Sequence, residues 1–164
     1  MRKRAYAVMA FTATLLLLMG VSAFAKMGDQ TQSAVGTWKL DAKKSSYGNM
    51  PAPKFEQLVV MEDKPDSLKW NLKGATVDGK TYISSYDGPI DGKDHPLLSN
   101  EAASTVAYTR TASGVQWVTK NKSGAVIETG SSQLSPDGHM LTLKGTAQGP
   151  NGKVNFTSVF GRAH

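Results

Sequence analysis

From Val35 onward the chain is cut at short intervals by residue pairs that favour tight turns. Asp78-Gly79, Asp87-Gly88, Asp91-Gly92, Asp137-Gly138 and Asn151-Gly152 are the strong ones, with Ser113-Gly114 and Ser123-Gly124 in support. Gly, Asn and Asp tolerate the positive φ that two-residue hairpin turns demand. Between these turns apolar and polar residues alternate. Leu68, Trp70 and Leu72 alternate with Lys69, Asn71 and Lys73, and Val154, Phe156, Ser158 and Phe160 repeat the pattern. Leu141 and Leu143, and Val115, Trp117 and Thr119, do the same. Period two marks a strand with one buried face, and no stretch shows a capped 3.6-residue period. Further strands are expected over 35–40, 55–62, 81–86, 104–111 and 125–134. The expected total is nine, or ten if the segment after His95 pairs. Short strands joined by tight hairpins become sequential antiparallel neighbours. Closing such a meander removes its exposed edges, so the expected fold is all-β, an antiparallel up-and-down β-barrel of about eight to ten strands. The alternative is a two-sheet β-sandwich, which local pattern alone does not exclude.

The first 25 residues read differently. Arg2, Lys3 and Arg4 are followed by an uncharged run to Ala25 that contains Phe11-Thr12-Ala13-Thr14-Leu15-Leu16-Leu17-Leu18-Met19 and ends in Ala23-Phe24-Ala25. Basic, apolar and small residues in that order form a secretory signal peptide. An uncleaved anchor is the competing reading, because the run is long enough to cross a bilayer. Gly20, Ser22 and the Ala-Phe-Ala site favour cleavage, leaving no membrane anchor. Residues 26–34 form a polar, flexible lead-in, and 35–164 a single barrel domain. The signal has a bacterial look and implies a periplasmic or secreted protein. Its removal takes the formal charge from +6 to +3, too little to suggest a nucleic-acid partner. The absence of cysteine excludes a lipobox, disulfides, a thiolate nucleophile and cysteine-ligated metal centres.

Val35-Gly36-Thr37-Trp38-Lys39-Leu40 resembles the opening strand of lipocalins and fatty-acid-binding proteins, where Gly-x-Trp begins the barrel. Val159-Phe160-Gly161-Arg162-Ala163 resembles the closing strand of such barrels. Residues 35 to 162 have about the right length, and the whole resembles small secreted bacterial lipocalin-like proteins of the calycin superfamily. Two departures limit what the resemblance implies. Asp41 to Lys54 is too short and too rich in Pro and Gly for the helix pair of fatty-acid-binding proteins. Their carboxylate-binding Arg-x-Tyr is missing too, since Arg162 is followed by Ala163 and His164. The resemblance does imply a structural contact between Trp38 and Arg162 that ties the two ends of the meander together, with Arg110 as the competing cation.

Catalytic and metal signatures are absent. His95, His139 and His164 have no zinc-binding spacing and are expected in exposed loops. Asp87, Asp91 and Asp94 could wrap calcium, but the EF-hand spacing is missing and turn carboxylates commonly cap backbone N–H groups. Gly130-Ser131-Ser132 is not a nucleophile elbow, and no phosphate-binding or dinucleotide loop occurs. Neither an enzyme nor a cofactor is therefore expected.

What remains is a set of aromatic residues on the strands. Trp70 and Trp117 sit mid-strand on the more apolar face and are the best candidates for lining a ligand pocket, with Phe156 beside them. Tyr108 and Arg110 share a face. If it is interior, Arg110 is a buried cation in need of an anionic ligand or a carboxylate. The expected function is binding of a small apolar or amphipathic molecule inside the barrel. The alternative is a cell-envelope interaction or inhibitor module that acts through loops 41–54 and 88–103 without an internal ligand.

Overall fold

The computed structural model describes residues 33–163. The expected signal peptide, most of the lead-in and His164 lie outside the described residues. Within them there is no helix. Eleven strands form one antiparallel sheet: β1 (Gly36–Leu40), β2 (Pro53–Asp63), β3 (Ser67–Thr76), β4 (Thr81–Pro89), β5 (His95–Pro96), β6 (Leu98–Ser99), β7 (Ala103–Thr111), β8 (Gly114–Asn121), β9 (Val126–Leu134), β10 (Met140–Gly149) and β11 (Gly152–Arg162). The nine long strands are those the alternation marks, and the segment after His95 pairs as well. It supplies two short strands rather than one, because it changes partner at Leu97.

Strand order is β5-β7-β8-β9-β10-β11-β1-β2-β3-β4-β6. The first and last members of this order are consecutive in the chain. Residues 95–99 therefore stand between β7 and β4 and draw the two sides of the sheet together. His95 and Pro96 pair with Val106 and Thr105 of β7, while Leu98 and Ser99 pair with Ser85 and Ser84 of β4. The result is a nearly closed barrel, not a sandwich. The first and last strands meet as neighbours, with Trp38 of β1 opposite Arg162 of β11.

The turn dipeptides act as expected at Gly79, Gly92, Gly124, Gly138 and Gly152, which all adopt positive φ. Asp87-Gly88 is a correction. It lies inside β4, with Lys69 opposite Asp87 and Leu68 opposite Gly88. Pairing with β3 carries the strand through the dipeptide, which shows that the cue is permissive rather than obligatory.

One end of the barrel collects residues 33–35, the hairpins at 64–66, 112–113 and 135–139, and the end of β11. The opposite end collects loop 41–52, the hairpins at 77–80, 122–125 and 150–151, and residues 100–102. Trp38, Phe160 and Val106 are wholly buried, and Tyr86, Leu141 and Leu68 pack with them. Each such side chain contributes about 1.5–3 kcal/mol on leaving water. Loop 41–52 forms no helix. It runs back along β11, where Asp41 N donates to Val159 O and Ser46 pairs with Thr157.

Candidate ligand cavity

Side chains opposite one another on paired strands point to the same face. Val60, Trp70 and Tyr86 form one such row, and Tyr108, Trp117, Gly130, Gly145 and Phe156 form another. From these rows Val60, Trp70, Tyr108, Trp117 and Phe156 line a cavity of about 910 Å³. Leu58, Val60, Leu72, Leu143 and Phe156 supply apolar wall. Glycines provide some of this space. A Cβ on Gly130 would stand 2.3 Å from Trp117 Cζ2, so the indole lies flat against the wall only because no side chain is there. The Tyr82 ring crosses Gly74 in the same way.

All five residues proposed from sequence for the pocket, Trp70, Trp117, Tyr108, Arg110 and Phe156, line this cavity. Trp70 Nε1 donates to the Tyr108 hydroxyl at 3.0 Å, and the Tyr108 ring packs on Tyr86 with centroids 4.9 Å apart. The shared face of Tyr108 and Arg110 is thus interior. Arg110 has found its carboxylate: Nη1 lies 2.8 Å from Asp63 Oδ1, and Nη2 donates to Lys64 O. Its Nε is buried with no hydrogen-bond partner among the described residues. Asp63 in turn accepts from Ala34 N at 3.0 Å, so this ion pair braces the end of the barrel where β1 begins.

Trp38 and Arg162 make the contact that the resemblance implies. The guanidinium carbon stands 4.2 Å from the Trp38 ring centroid, and Arg110 plays no part in it. Arg162 also donates to the carbonyls of Gly138, Val35 and Ser33 at 2.8, 2.7 and 3.2 Å.

The opposite end holds a polar group that the sequence did not single out. Glu56, Glu101 and Glu128 line the cavity there with Tyr47 and Tyr82. Tyr82 donates to Glu56 Oε1 at 2.6 Å, and Trp117 Nε1 donates to Glu128 Oε1 at 2.7 Å. Burial pushes the Glu56 carboxyl above its ordinary range. The Tyr82 hydrogen bond opposes the shift, and the charges of Glu128 and Glu101 reinforce it. Glu128 is raised likewise by burial, against the Trp117 bond and with the help of Glu101. Burial and the Glu56 charge also raise the Tyr82 hydroxyl. One signal was available. Glu56, Leu58 and Val60 occupy alternate positions on β2, so the face that buries the two apolar residues also carries the carboxylate.

Loop 41–52 lies across this end. Ser158 Oγ donates to Tyr47 Oη at 2.9 Å, and Met50 and Pro51 border the cavity. The aspartates of the 87–94 region do not gather. Asp87 pairs with Lys69 at 2.5 Å, Asp94 with Lys120 at 2.6 Å, and Asp91 with His95 at 2.9 Å while capping Lys93 N. His95 is a correction as well, since it sits half-buried on β5 rather than in an exposed loop. His139 is exposed, just after the Asp137-Gly138 turn.

No protein-family model and no curated protein matches the chain. Among solved structures, the chain is similar to EF1p2_mFAP2b bound to DFHBI at 10% identity, with 79% of this chain and 94% of that one covered and a TM-score of 0.48. It is also similar to a redesigned β-barrel, b11L5F_LGL, at 13% identity, 80% and 92% coverage and a TM-score of 0.46. A third is the zebrafish ileal bile acid-binding protein complexed with cholic acid, at 11% identity, 80% and 100% coverage and a TM-score of 0.46. What each of these binds is a property of that protein.

Proposed function

We propose that the chain is an exported, lipocalin-like carrier that takes a small apolar or amphipathic molecule into its barrel. The observation that carries this reading is the cavity of about 910 Å³, walled mainly by apolar side chains, with the Arg110–Asp63 pair at one end and Glu56, Glu101 and Glu128 at the other. That size and composition are typical of small-molecule sites. A barrel of this kind that served only as a scaffold would fill its interior with side chains. The surface-module alternative draws less support. Tyr47 of loop 41–52 is tied to Ser158, and residues 95–99 of the second long loop are part of the wall. Export rests on the basic-apolar-small order of the first 25 residues.

Native mass spectrometry of the mature protein purified from its own host tests the carrier reading. A bound small molecule that is lost on denaturation is the expected result. A bare polypeptide, together with tryptophan fluorescence that no small amphiphile perturbs, overturns it. Export is tested by N-terminal sequencing of the envelope fraction, which should begin at Lys26; a start at Met1 overturns it.

A further inference from the structure

On the carrier reading, the ligand's polar end must be matched by the polar groups that line the cavity. Those groups are unusual in sign. Arg110 is the cavity-lining cation, and it is already committed to Asp63 and the Lys64 carbonyl. The far end presents Glu56, Glu101 and Glu128, with no cation beside them among the cavity-lining residues. Tyr82 and Trp117 each hold one oxygen, Oε1, of Glu56 and Glu128 respectively. The second oxygen of each has no hydrogen-bond partner among the described residues. The donors therefore orient the carboxylates without neutralising them.

We propose that the cavity selects amphiphiles with a cationic head, a protonated amine or a quaternary ammonium, seated among Glu56, Glu101 and Glu128 with the apolar tail directed toward Trp70 and Phe156. An ammonium in this position would meet opposite charges and the faces of Tyr82 and Trp117, both of which attract cations. A fatty-acid carboxylate in the same place would add a like charge beside Glu56 and Glu128, which are already short of water. Turned the other way, it would meet an arginine whose charge Asp63 balances. This inference rests on the carrier reading and narrows it. It also runs against the molecule's overall electrostatics, because the net charge stays positive, +3 even without the first 25 residues, and favours anions at the surface. A measured preference for cations is therefore not a surface effect.

The test uses three probes of equal tail length: decyltrimethylammonium, decanoate and decanol. Each is titrated below its aggregation threshold into the mature protein, with tryptophan fluorescence and calorimetry as readouts. The expected result is an affinity for the cation about tenfold or more above that for decanoate, a difference that one well-placed charge contact readily supplies. In a Glu56→Gln/Glu128→Gln variant the cation should lose about tenfold in affinity while decanol stays within about twofold. If the double variant does not fold, the single Glu128→Gln variant and the wild-type probe ranking decide the matter. Decanoate binding as tightly as the cation, or a cation affinity indifferent to the substitutions, overturns the inference and leaves the carrier reading intact. Failure of all three probes, decanol included, overturns both.

Discussion

The guanidinium carbon of Arg162 stands over the indole of Trp38, 4.2 Å from its centroid, and the two residues are also paired in register across the β1–β11 ladder. The pair joins the first strand of the barrel to the last. It also explains the Gly-x-Trp motif. Gly36 has φ +144°, and a Cβ there would stand 2.5 Å from Arg162 Nη1. The glycine leaves room for the arginine that covers the tryptophan two residues on.

Arg162→Ala should therefore lower stability by about 2 kcal/mol, since the cation–π contact and the bonds to three carbonyls disappear together. At this chain length that corresponds to a fall in Tm of roughly 5 °C. Arg162→Lys should recover only part of the loss, because an ammonium does not reproduce the planar fork. Urea and thermal unfolding measure both, and an unchanged midpoint for the alanine variant contradicts the role.

Asp63→Asn should cost about 2–3 kcal/mol by leaving the partly buried Arg110 without its counter-charge. Replacing both residues with leucine should restore most of that loss, since two well-packed apolar residues remove the desolvation penalty as well as the attraction. A double-mutant cycle with no coupling between the positions would show that the ion pair is incidental.

Gly130→Ala should push the Trp117 ring off the wall and into the cavity, because the new Cβ would fall 2.3 Å from Cζ2 and 2.7 Å from Lys144 O. The expected cost is about 1–3 kcal/mol, as for overpacking elsewhere. Trp117 would also lose its bond to Glu128, so tryptophan emission should shift and ligand affinity fall. Unaltered emission and affinity would mean that the wall yields more easily than its packing implies.

The cavity carboxyls give the protein a pH signature. Glu56 and Glu128 have folded-state values raised above the ordinary glutamate value of 4.5, chiefly by burial. The folded state holds their protons at pH values where the unfolded chain has released them. Their contribution to stability is thus complete below about 4.5 and is lost as pH rises through the raised values. Glu128→Gln should flatten that decline, visible as a Tm advantage over wild type that grows with pH. A fixed-charge ammonium ligand should show the opposite trend and bind more tightly as Glu56 and Glu128 ionise, with Glu101 adding to the field they face. The tyrosines that flank them, Tyr47 and Tyr82, are raised and do not titrate in this range. A pH-independent affinity would contradict the assignment.

Much of the wall was legible in the sequence, because alternation is a local property. Leu68, Trp70 and Leu72 announce both their strand and its inward face. The dipeptide Asp87-Gly88 misleads for the converse reason: a turn cue is local, while the ladder to Leu68 and Lys69 that overrides it is not. The interior polar groups escaped because their one local cue, the alternation of Glu56 with Leu58 and Val60, competes with a contrary neighbour. Glu56 sits next to Phe55, an exposed aromatic, and the tyrosine that marks its carboxylate as interior comes 26 residues later. The side of the sheet on which Tyr108 and Arg110 fall was likewise undecidable between Thr109 and Thr111. It is set by Asp63, 47 residues earlier, which the pattern of β7 does not mention.

The segment from His95 to Ser99 gives the barrel a seam. Every other junction in the wall is a longer ladder, whereas here two residues pair on each side, helped by bonds from Leu97 N to Ser104 O and Gly92 N to Tyr108 O toward β7 and between Asn100 and Ile83 toward β4. A hoop fastened so lightly at one point need not admit its contents through the end. Parting the seam would widen the wall beside Tyr108 and Trp70 without disturbing the clasp of Trp38 and Arg162 on the far side. Amide exchange should accordingly be fastest along Ser84, Ser85 and residues 97–99, and a bound ligand should slow it there first.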